Sequence, residues 1–230
     1  MRHVLYLHGF ASSAQSTKAA FFADRLRPYG INVRCPDFNE PDFASMTVSR
    51  MIGQVEEALA ALPPGPVALV GSSLGGFVAY HAAVRRAAQR GRARTATRPI
   101  DRLILLAPAF DFGRTAFSGL DAAAIEAWRR TDAYEVFHWG ENRPRTIRFA
   151  MYDDAHAYDS ASCTLDTPTL VIQGRRDTVV DPQMVAAFAA KRPFMATRMV
   201  DDDHLLMSSL DLIWKESAAF LGLSAPRAQL

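Results

Sequence analysis

Short apolar runs alternate with longer amphipathic stretches along most of this 230-residue chain. The apolar runs predict strands near 2–8, 31–35, 66–71, 102–107, 168–173 and 196–200. The stretches between them predict helices near 17–28, 47–61, 74–90, 182–192 and 206–221. Strands that alternate with helices form parallel sheets with helices on both faces, so the sequence predicts an α/β fold with one mostly parallel sheet of about six strands.

Residues 111–165 interrupt this alternation over more than 50 positions, whereas connections in compact domains are typically about 4 to 6 residues long. The segment predicts an Ala-rich helix at 121–130 and a hairpin of strands 136–139 and 146–149 around a turn at 140–144. We expect residues 1–230 to form a single domain, in which 111–165 is an insertion that caps the site.

Composition and charge argue against several classes of protein. Lysine and arginine total 26 against 24 aspartate and glutamate, and the net charge of +2 indicates no nucleic-acid partner. We interpret the arginine-rich stretch 85–98 as a helix end and a solvated loop rather than an anionic-surface patch.

Cys35 and Cys163 are too few for a disulfide framework, and no Cys/His cluster has zinc spacing, so we expect neither metal nor cofactor. The first apolar run is too short for a signal peptide and no run approaches the roughly 20 residues of a membrane span, so a soluble, cytoplasmic protein is expected.

The strongest motif joins a predicted strand to a predicted helix. It reads Gly71-Ser72-Ser73-Leu74-Gly75 and fits the pattern G-x-S-x-G, in which a strained turn exposes the central serine at the carboxyl edge of a sheet. Gly71 and Gly75 are expected because side chains do not fit so tight a turn. The alternative is a plain glycine-rich turn, but the flanking strand and helix are the context that the motif requires. Ser73 is therefore the candidate nucleophile, and Ser72 is expected to pack or hydrogen-bond locally.

The first predicted strand ends in Leu7-His8-Gly9-Phe10 at the same edge of the sheet. Gly9 permits a close backbone approach, so the backbone N–H of Phe10, together with that of Leu74, is expected to form an oxyanion hole. We interpret His8 as a structural histidine that holds the loop, because the base in this chain order comes later.

Asp177 and His204 follow two later predicted strands, which places them at the same edge. The order serine, aspartate, histidine is that of the α/β hydrolases. A neutral imidazole must accept the serine proton, and a carboxylate must fix its tautomer and stabilise its charge. We therefore predict His204 as general base and Asp177 as the orienting acid. Asp181 is interpreted as a helix cap, and 201–203 as carboxylates that bind backbone amides or raise the local negative charge.

Two stretches carry a resemblance to a known family. They read Tyr6-Leu7-His8-Gly9-Phe10-Ala11-Ser12-Ser13, followed by Ser16 and Lys18-Ala19, and Val70-Gly71-Ser72-Ser73-Leu74-Gly75-Gly76-Phe77. With Asp177 and His204 in place, the chain resembles the small bacterial esterases of the YqiA type within the α/β-hydrolase superfamily. The resemblance implies an α/β-hydrolase fold with a six-stranded, mostly parallel sheet, and activity on carboxylic esters or thioesters. The 111–165 segment is longer than in compact members, which leaves the natural substrate open.

We expect a serine hydrolase that acts through an acyl-enzyme on a small-molecule ester or thioester. The same triad also serves amide hydrolysis, perhydrolysis or acyl transfer, and a ligand-sensing receptor of this fold is a further alternative. The candidate pocket residues are four aromatic side chains of the insertion, Trp128, Phe137, Trp139 and Phe149. A separate small core or a dimer contact would also explain them, and the sequence is compatible with a monomer or a homodimer.

Overall fold

A computed structural model describes residues 2–92, 99–115, 117 and 119–224. Its strands are β1 (His3–Leu7), β2 (Val33–Arg34), β3 (Val67–Ser72), β4 (Ile100–Leu106), β5 (Tyr134–His138), β6 (Arg143–Ile147), β7 (Thr169–Gly174) and β8 (Met195–Val200). Within the described residues, six strands form one parallel sheet in the order β2-β1-β3-β4-β7-β8, and β5 pairs with β6 in an antiparallel hairpin. The predicted parallel sheet is confirmed.

Helices connect the strands of the sheet. They are α1 (Thr17–Leu26), α2 (Val48–Ala60), α3 (Leu74–Arg92), α4 (Phe112–Thr115), α5 (Ala122–Thr131), α6 (Ala150–Ala155), α7 (Pro182–Ala190) and α8 (Leu210–Leu221). Several begin after a side chain that accepts a hydrogen bond from the first turn, namely Ser16, Thr47, Asp121 and Asp181. Such caps satisfy N–H groups that have no partner inside the helix.

Both faces of the sheet are buried. Leu5 and Leu7 of β1 pack in the apolar cluster that includes α2, α3 and α7, whereas Val4 and Tyr6 pack in the cluster that includes α1 and α8. All four side chains are fully buried. A strand covered on both faces is a near-continuous apolar run, which is the pattern from which these strands were predicted.

The insertion at 111–165 contains α4, α5, the β5–β6 hairpin and α6. Its hairpin corrects one prediction, because the second strand starts at Arg143 and pairs Pro144 with Phe137, inside the turn predicted at 140–144. Proline is compatible with this position since a two-stranded ribbon has free edges. The short helices α4 and α6, of four and six residues, were not predicted.

The structure also bears on two predictions made from composition, one about the arginine-rich stretch 85–98 and one about membrane spans. Helix α3 continues to Arg92, so the first part of the arginine-rich stretch is helical, and residues 93–98 lie outside the described residues. In the part of the chain that the structure describes, no helix combines the length and apolarity needed to cross a membrane.

Trp128 joins the insertion to the core of the sheet. Its side chain is 1% exposed, its Nε1 donates to Ile147 O at 3.0 Å, and its ring centroid lies 4.8 Å from that of Phe117. Trp128 and the inward residues of the sheet belong to one continuous apolar cluster. The insertion therefore shares the main core and does not form a separate one.

We expect Trp128→Ala to lower the free energy of unfolding by about 3 to 5 kcal/mol, because it leaves a cavity and removes the donor to Ile147 O. Trp139→Ala is the matched control: Trp139 is 76% exposed, and its loss should change stability by less than about 0.5 kcal/mol. Urea unfolding followed by circular dichroism measures both variants. An unchanged midpoint for Trp128→Ala, or separate melting of the insertion, would contradict the shared core.

Candidate active site

The carboxyl ends of parallel strands meet at one edge of the sheet. Ser73 directly follows β3, while Asp177 and His204 lie in the loops after β7 and β8. The Nε2 atom of His204 lies 3.0 Å from Ser73 Oγ, and its Nδ1 atom lies 2.8 Å from Asp177 Oδ2. The structure thus brings the three predicted residues together in one hydrogen-bonded line.

Ser73 occupies the sharp turn between β3 and α3. Its φ of 54° lies in the left-handed region that residues other than glycine rarely adopt. Its N–H donates to Leu106 O at 2.9 Å, and its carbonyl accepts from the N–H groups of Gly76 and Phe77 at 2.9 and 3.2 Å. The neighbouring strand and the following helix therefore hold the strained backbone of the serine in place.

The turn brings backbone segments too close together for side chains. A Cβ built on Gly71 would lie 2.3 Å from Gly75 O, and one on Gly75 would lie 2.0 Å from Leu7 O. A Cβ on Gly9 would lie 3.4 Å from Ser73 Cβ, so the loop after β1 passes directly beside the serine. The predicted motif glycines are explained by these contacts.

The carboxylate of Asp177 is buried and hydrogen-bonded at both oxygens. Oδ1 accepts from the N–H groups of Val179 and Val180 at 2.8 and 2.9 Å, and Oδ2 accepts from Gln173 Nε2 at 2.8 Å. Burial raises the pKa of Asp177, but the hydrogen bonds from His204 and the backbone outweigh burial and leave the pKa below its usual value. Asp177 is therefore ionised at neutral pH and only accepts hydrogen bonds, which places the proton of neutral His204 on Nδ1.

Gln173 was not predicted from the sequence. It lies in β7, is fully buried, and donates through Nε2 to the same Asp177 oxygen that His204 contacts. The sequence did contain a signal, since Gln173 is a polar residue near the end of an otherwise apolar strand. Burying an amide costs free energy unless it has a hydrogen-bond partner, so such a residue is expected to bind a neighbouring polar group. Gln173 orients the carboxylate.

The two predicted oxyanion donors belong to segments that pack beside the serine. Leu74 is the first residue of α3, where backbone N–H groups have no partner within the helix. Phe10 follows Gly9 in the loop after β1. His8 holds that loop, since its Nε2 accepts from Phe38 N–H and its Nδ1 donates to Gly9 O, each at 2.9 Å. This is the structural role expected of His8.

The hairpin of the insertion is tied to the same loop. Gly140 N–H donates to Ala11 O at 3.2 Å. Asn39 bridges the two parts, because its Nδ2 donates to Ser12 O at 2.9 Å and its Oδ1 accepts from His138 Nε2 at 3.2 Å. Burial lowers the pKa of His138, so its ring stays neutral and its Nδ1 can accept from Glu141 N–H at 3.1 Å while Nε2 donates.

The four candidate pocket aromatics divide into two groups. Trp128 and Phe149 are 1% and 6% exposed, and their ring centroids lie 5.4 Å apart. Phe137 and Trp139 are 41% and 76% exposed, and their rings contact each other at 4.7 Å. Burial leaves Trp128 and Phe149 little surface for a ligand, contrary to the expected pocket role, whereas Phe137 and Trp139 present apolar surface to solvent.

The two cysteines and the potential metal ligands of the described residues do not form a second reactive centre. Among the residues that the structure describes, no three His, Cys, Asp or Glu side chains are grouped as metal ligands. Cys35 and Cys163 are free thiols, and burial raises the pKa of both, that of Cys35 to about 12. Neither thiol therefore has the lowered pKa that a nucleophilic cysteine needs.

We expect Gly75→Ala to lower the free energy of unfolding by about 3 kcal/mol or more, because the new Cβ meets the backbone oxygen of Leu7 and neither backbone can rotate away. Gly53→Ala in α2 is the matched control, since nothing lies within 4 Å of its Cβ position. It should stabilise the protein by about 0.5 to 1 kcal/mol. Thermal unfolding measures both; a Gly75→Ala protein as stable as the native one would contradict the close approach.

Three solved structures share this fold over nearly the whole chain. A protein from Agrobacterium vitis S4 is 23% identical with a TM-score of 0.83, and the match covers 95% of this chain and 87% of that one. Mouse alpha/beta hydrolase domain-containing protein 10 is 20% identical with a TM-score of 0.76, over 96% and 90% of the two chains. Est1E from Butyrivibrio proteoclasticus, with ferulic acid bound, is 18% identical with a TM-score of 0.78, over 96% and 88%.

These likenesses establish the α/β-hydrolase fold. Comparison with curated protein sequences gives no match. The family model described as "Uncharacterised protein family (UPF0227)" matches residues 3–219. Because this match spans almost the whole chain, the protein belongs to the UPF0227 family and is built on the α/β-hydrolase fold.

Proposed function

We propose that this protein is a serine hydrolase that cleaves small-molecule carboxylic esters or thioesters through an acyl-enzyme intermediate. The observation that carries the proposal is the hydrogen-bonded line from Ser73 Oγ through His204 to Asp177, with distances of 3.0 and 2.8 Å. A fold alone does not set the reaction, so the proposal rests on this geometry. The likeness to Est1E with ferulic acid bound adds aryl esters to the compounds worth assaying.

The first half of the reaction transfers the acyl group to the serine. A serine hydroxyl is too weakly acidic to attack unaided at neutral pH. With its Nδ1 proton held by Asp177, His204 offers the lone pair of Nε2 to the hydroxyl of Ser73. As Oγ bonds to the carbonyl carbon, the proton moves to Nε2, and the carboxylate stabilises the imidazolium. Nε2 then protonates the departing alcohol or thiol, and the acyl group remains on Oγ.

The second requirement is a place for negative charge on the carbonyl oxygen. We assign it to the backbone N–H groups of Phe10 and Leu74, and the first turn of α3 adds the positive end of a helix dipole. Water then attacks the acyl carbon while His204 Nε2 takes its proton, and Nε2 returns that proton to Ser73 Oγ as the bond from Oγ to the acyl carbon breaks, which releases the acid and restores both side chains. Every step uses side chains and backbone of this chain.

The alternative functions use the same site but differ in what happens to the bound molecule. Amide hydrolysis, perhydrolysis and acyl transfer would use the same triad, so competing an amine, hydrogen peroxide and an alcohol against water, with product identification, separates them. A ligand-sensing protein of this fold needs a pocket but not an ordered acid. The three N–H groups that hold the Asp177 carboxylate, from Gln173, Val179 and Val180, therefore favour an enzyme.

We further propose that the insertion at 111–165 borders the acyl site. The ring of Phe117 meets that of Phe10 edge-on, with centroids 5.9 Å apart, and Phe10 carries the proposed oxyanion donor. The Phe10 ring also packs on Phe43 at 5.9 Å. Phe117 thus connects the insertion to the loop beside the serine. The ring of buried Trp128 packs against the ring of Phe117, with centroids 4.8 Å apart, and supports this contact.

We expect Ser73→Ala to lower kcat by about 10⁶-fold, because the hydroxyl is the attacking group. Ser72→Ala is the matched control, since it removes the same group one residue earlier, from a side chain that is buried at the end of β3. Turnover is measured on alkyl, aryl and feruloyl esters and on acyl thioesters. Fluorophosphonate labelling located by mass spectrometry should modify Ser73 stoichiometrically.

Three results would contradict the nucleophile assignment. They are a label on Ser72, an inactive Ser72→Ala protein, and more than about a tenth of native activity in Ser73→Ala. A native protein that folds but takes up no label would favour the ligand sensor.

We expect Asp177→Asn to lower kcat by on the order of 10⁴-fold. Two backbone N–H groups face Oδ1, so the amide oxygen must stay there and the NH₂ group must turn toward His204. The imidazole would then carry its proton on Nε2 and could not accept one from Ser73. Asp181→Asn is the matched control, because Asp181 caps α7 through Gln183 N–H and asparagine caps helices equally well.

Steady-state kinetics on one ester measures both variants. Near-native activity in Asp177→Asn, together with collapse in Asp181→Asn or Asp203→Asn, would show that a different carboxylate orients the imidazole.

A further inference from the structure

Lys18 lies near the amino-terminal end of a helix, where a positive charge is unfavourable. It is one of three lysines in a chain whose other basic residues are arginine. It lies in the first turn of α1, after Ser16, whose side chain accepts from Ala19 N–H at 3.4 Å. The amino terminus of a helix carries partial positive charge, so a lysine there is locally unfavourable. Contacts outside the helix must therefore account for its position.

One such contact reaches the loop that carries the candidate base. Lys18 Nζ donates to Leu205 O at 2.8 Å, one residue beyond His204. The N–H of the same Leu205 donates to Asp203 Oδ1 at 2.8 Å. The peptide groups on both sides of this residue are thus held, and Leu206, which follows with a φ of 58°, completes a tight turn. Lys18 thus fixes this turn from α1, a helix that packs on the same face of the sheet as α8.

The charges that face Lys18 are carboxylates. They belong to Asp203, Asp202 and Asp177, from the loops after β8 and β7. Asp202 is 4% exposed, and among the described residues its Oδ2 has no hydrogen-bond donor. Arg176 on the neighbouring loop pairs with Asp201 instead, through a 3.4 Å contact to its carboxylate and a 3.1 Å hydrogen bond to its carbonyl.

Lys18 is charged at neutral pH, but burial makes its charged form less favourable than it is in water. Burial lowers the pKa of Lys18 from 10.5 to about 8, against the opposing effect of the three carboxylates. Because the folded protein has the lower pKa, the unfolded chain binds more protons between pH 8 and 10.5, and stability rises with pH across that window. Below pH 8 the charged lysine lowers the stability of the fold.

We propose that Lys18 is a positioning residue of the active site, whose ammonium group fixes the loop bearing His204 and offsets the negative charge that Asp177, Asp202 and Asp203 place around the imidazole. The inference rests on the proposed function. Carboxylates near an imidazole favour its protonated form, which cannot accept the serine proton. A cation among them keeps more of the imidazole neutral at the pH of the reaction.

The test compares Lys18→Met, Lys18→Arg and the control Lys191→Met, which makes the same change at an exposed residue that ends α7. In Lys18→Met we expect kcat at pH 7 to fall about tenfold or more. The acid limb of the kcat/KM profile should move to higher pH by about half a unit, because a positive charge is lost. Lys18→Arg keeps the charge and should restore the limb, and Lys191→Met should match the native profile.

A purely structural lysine would give a different set of results. The thermal midpoint of Lys18→Met at pH 7 should stay close to the native value, since the loss of one exposed hydrogen bond is offset by the loss of a half-buried charge. A lowered midpoint with an unmoved acid limb, or native kinetics in Lys18→Met, would overturn the proposal.

The imidazole of His204 also gives a readout that needs no substrate. Its titration, followed by NMR, should move to higher pH by about half a unit in Lys18→Met. If the native protein takes up no fluorophosphonate, the proposed hydrolase function fails, yet this shift still supports the charge role of Lys18. If labelling succeeds and the titration does not move, the inference about Lys18 fails and the hydrolase proposal stands.

Discussion

The backbone of the first turn of α3 lies directly against the backbone at the end of β1, and the candidate site depends on that contact. It exists only because Gly75 has no side chain, since a Cβ there would lie 2.0 Å from Leu7 O. The contact packs the turn between β3 and α3, which contains Ser73, against the loop after β1. Ser73 and the loop that contains Phe10 therefore pack against each other, and Leu106 O secures the strained serine from the neighbouring strand.

The charged side chains near the imidazole of His204 are held as closely as the backbone around Ser73. Asp177 is kept ionised by hydrogen bonds that outweigh its burial, and it dictates which nitrogen of His204 carries the proton. Lys18 is kept charged by carboxylates although burial favours its neutral form. Ionised Asp177 therefore stabilises the fold at neutral pH, whereas charged Lys18 lowers its stability.

The sheet and the candidate triad were predictable because both depend on short-range patterns. Strands buried on both faces are continuous apolar runs, and parallel strands put their carboxyl ends at one edge. The remainder depends on residues distant in sequence: Lys18 meets Leu205 across 187 positions, and Asn39 meets His138 across 99. Neither pairing leaves a local signal. The register of the β5–β6 hairpin was missed for the same reason, since its turn is fixed by docking on Ala11.

The docking of that hairpin has a consequence for the movement of the insertion. Raising it would break the bond from Gly140 to Ala11 and the Asn39 bridge between Ser12 and His138, whose ring is fully buried. During such a movement these groups would have to exchange their hydrogen bonds for bonds to water. The hairpin is thus joined to the loops after β1 and β2 by two hydrogen bonds, from Gly140 to Ala11 and from His138 to Asn39, which any displacement of the insertion must break together.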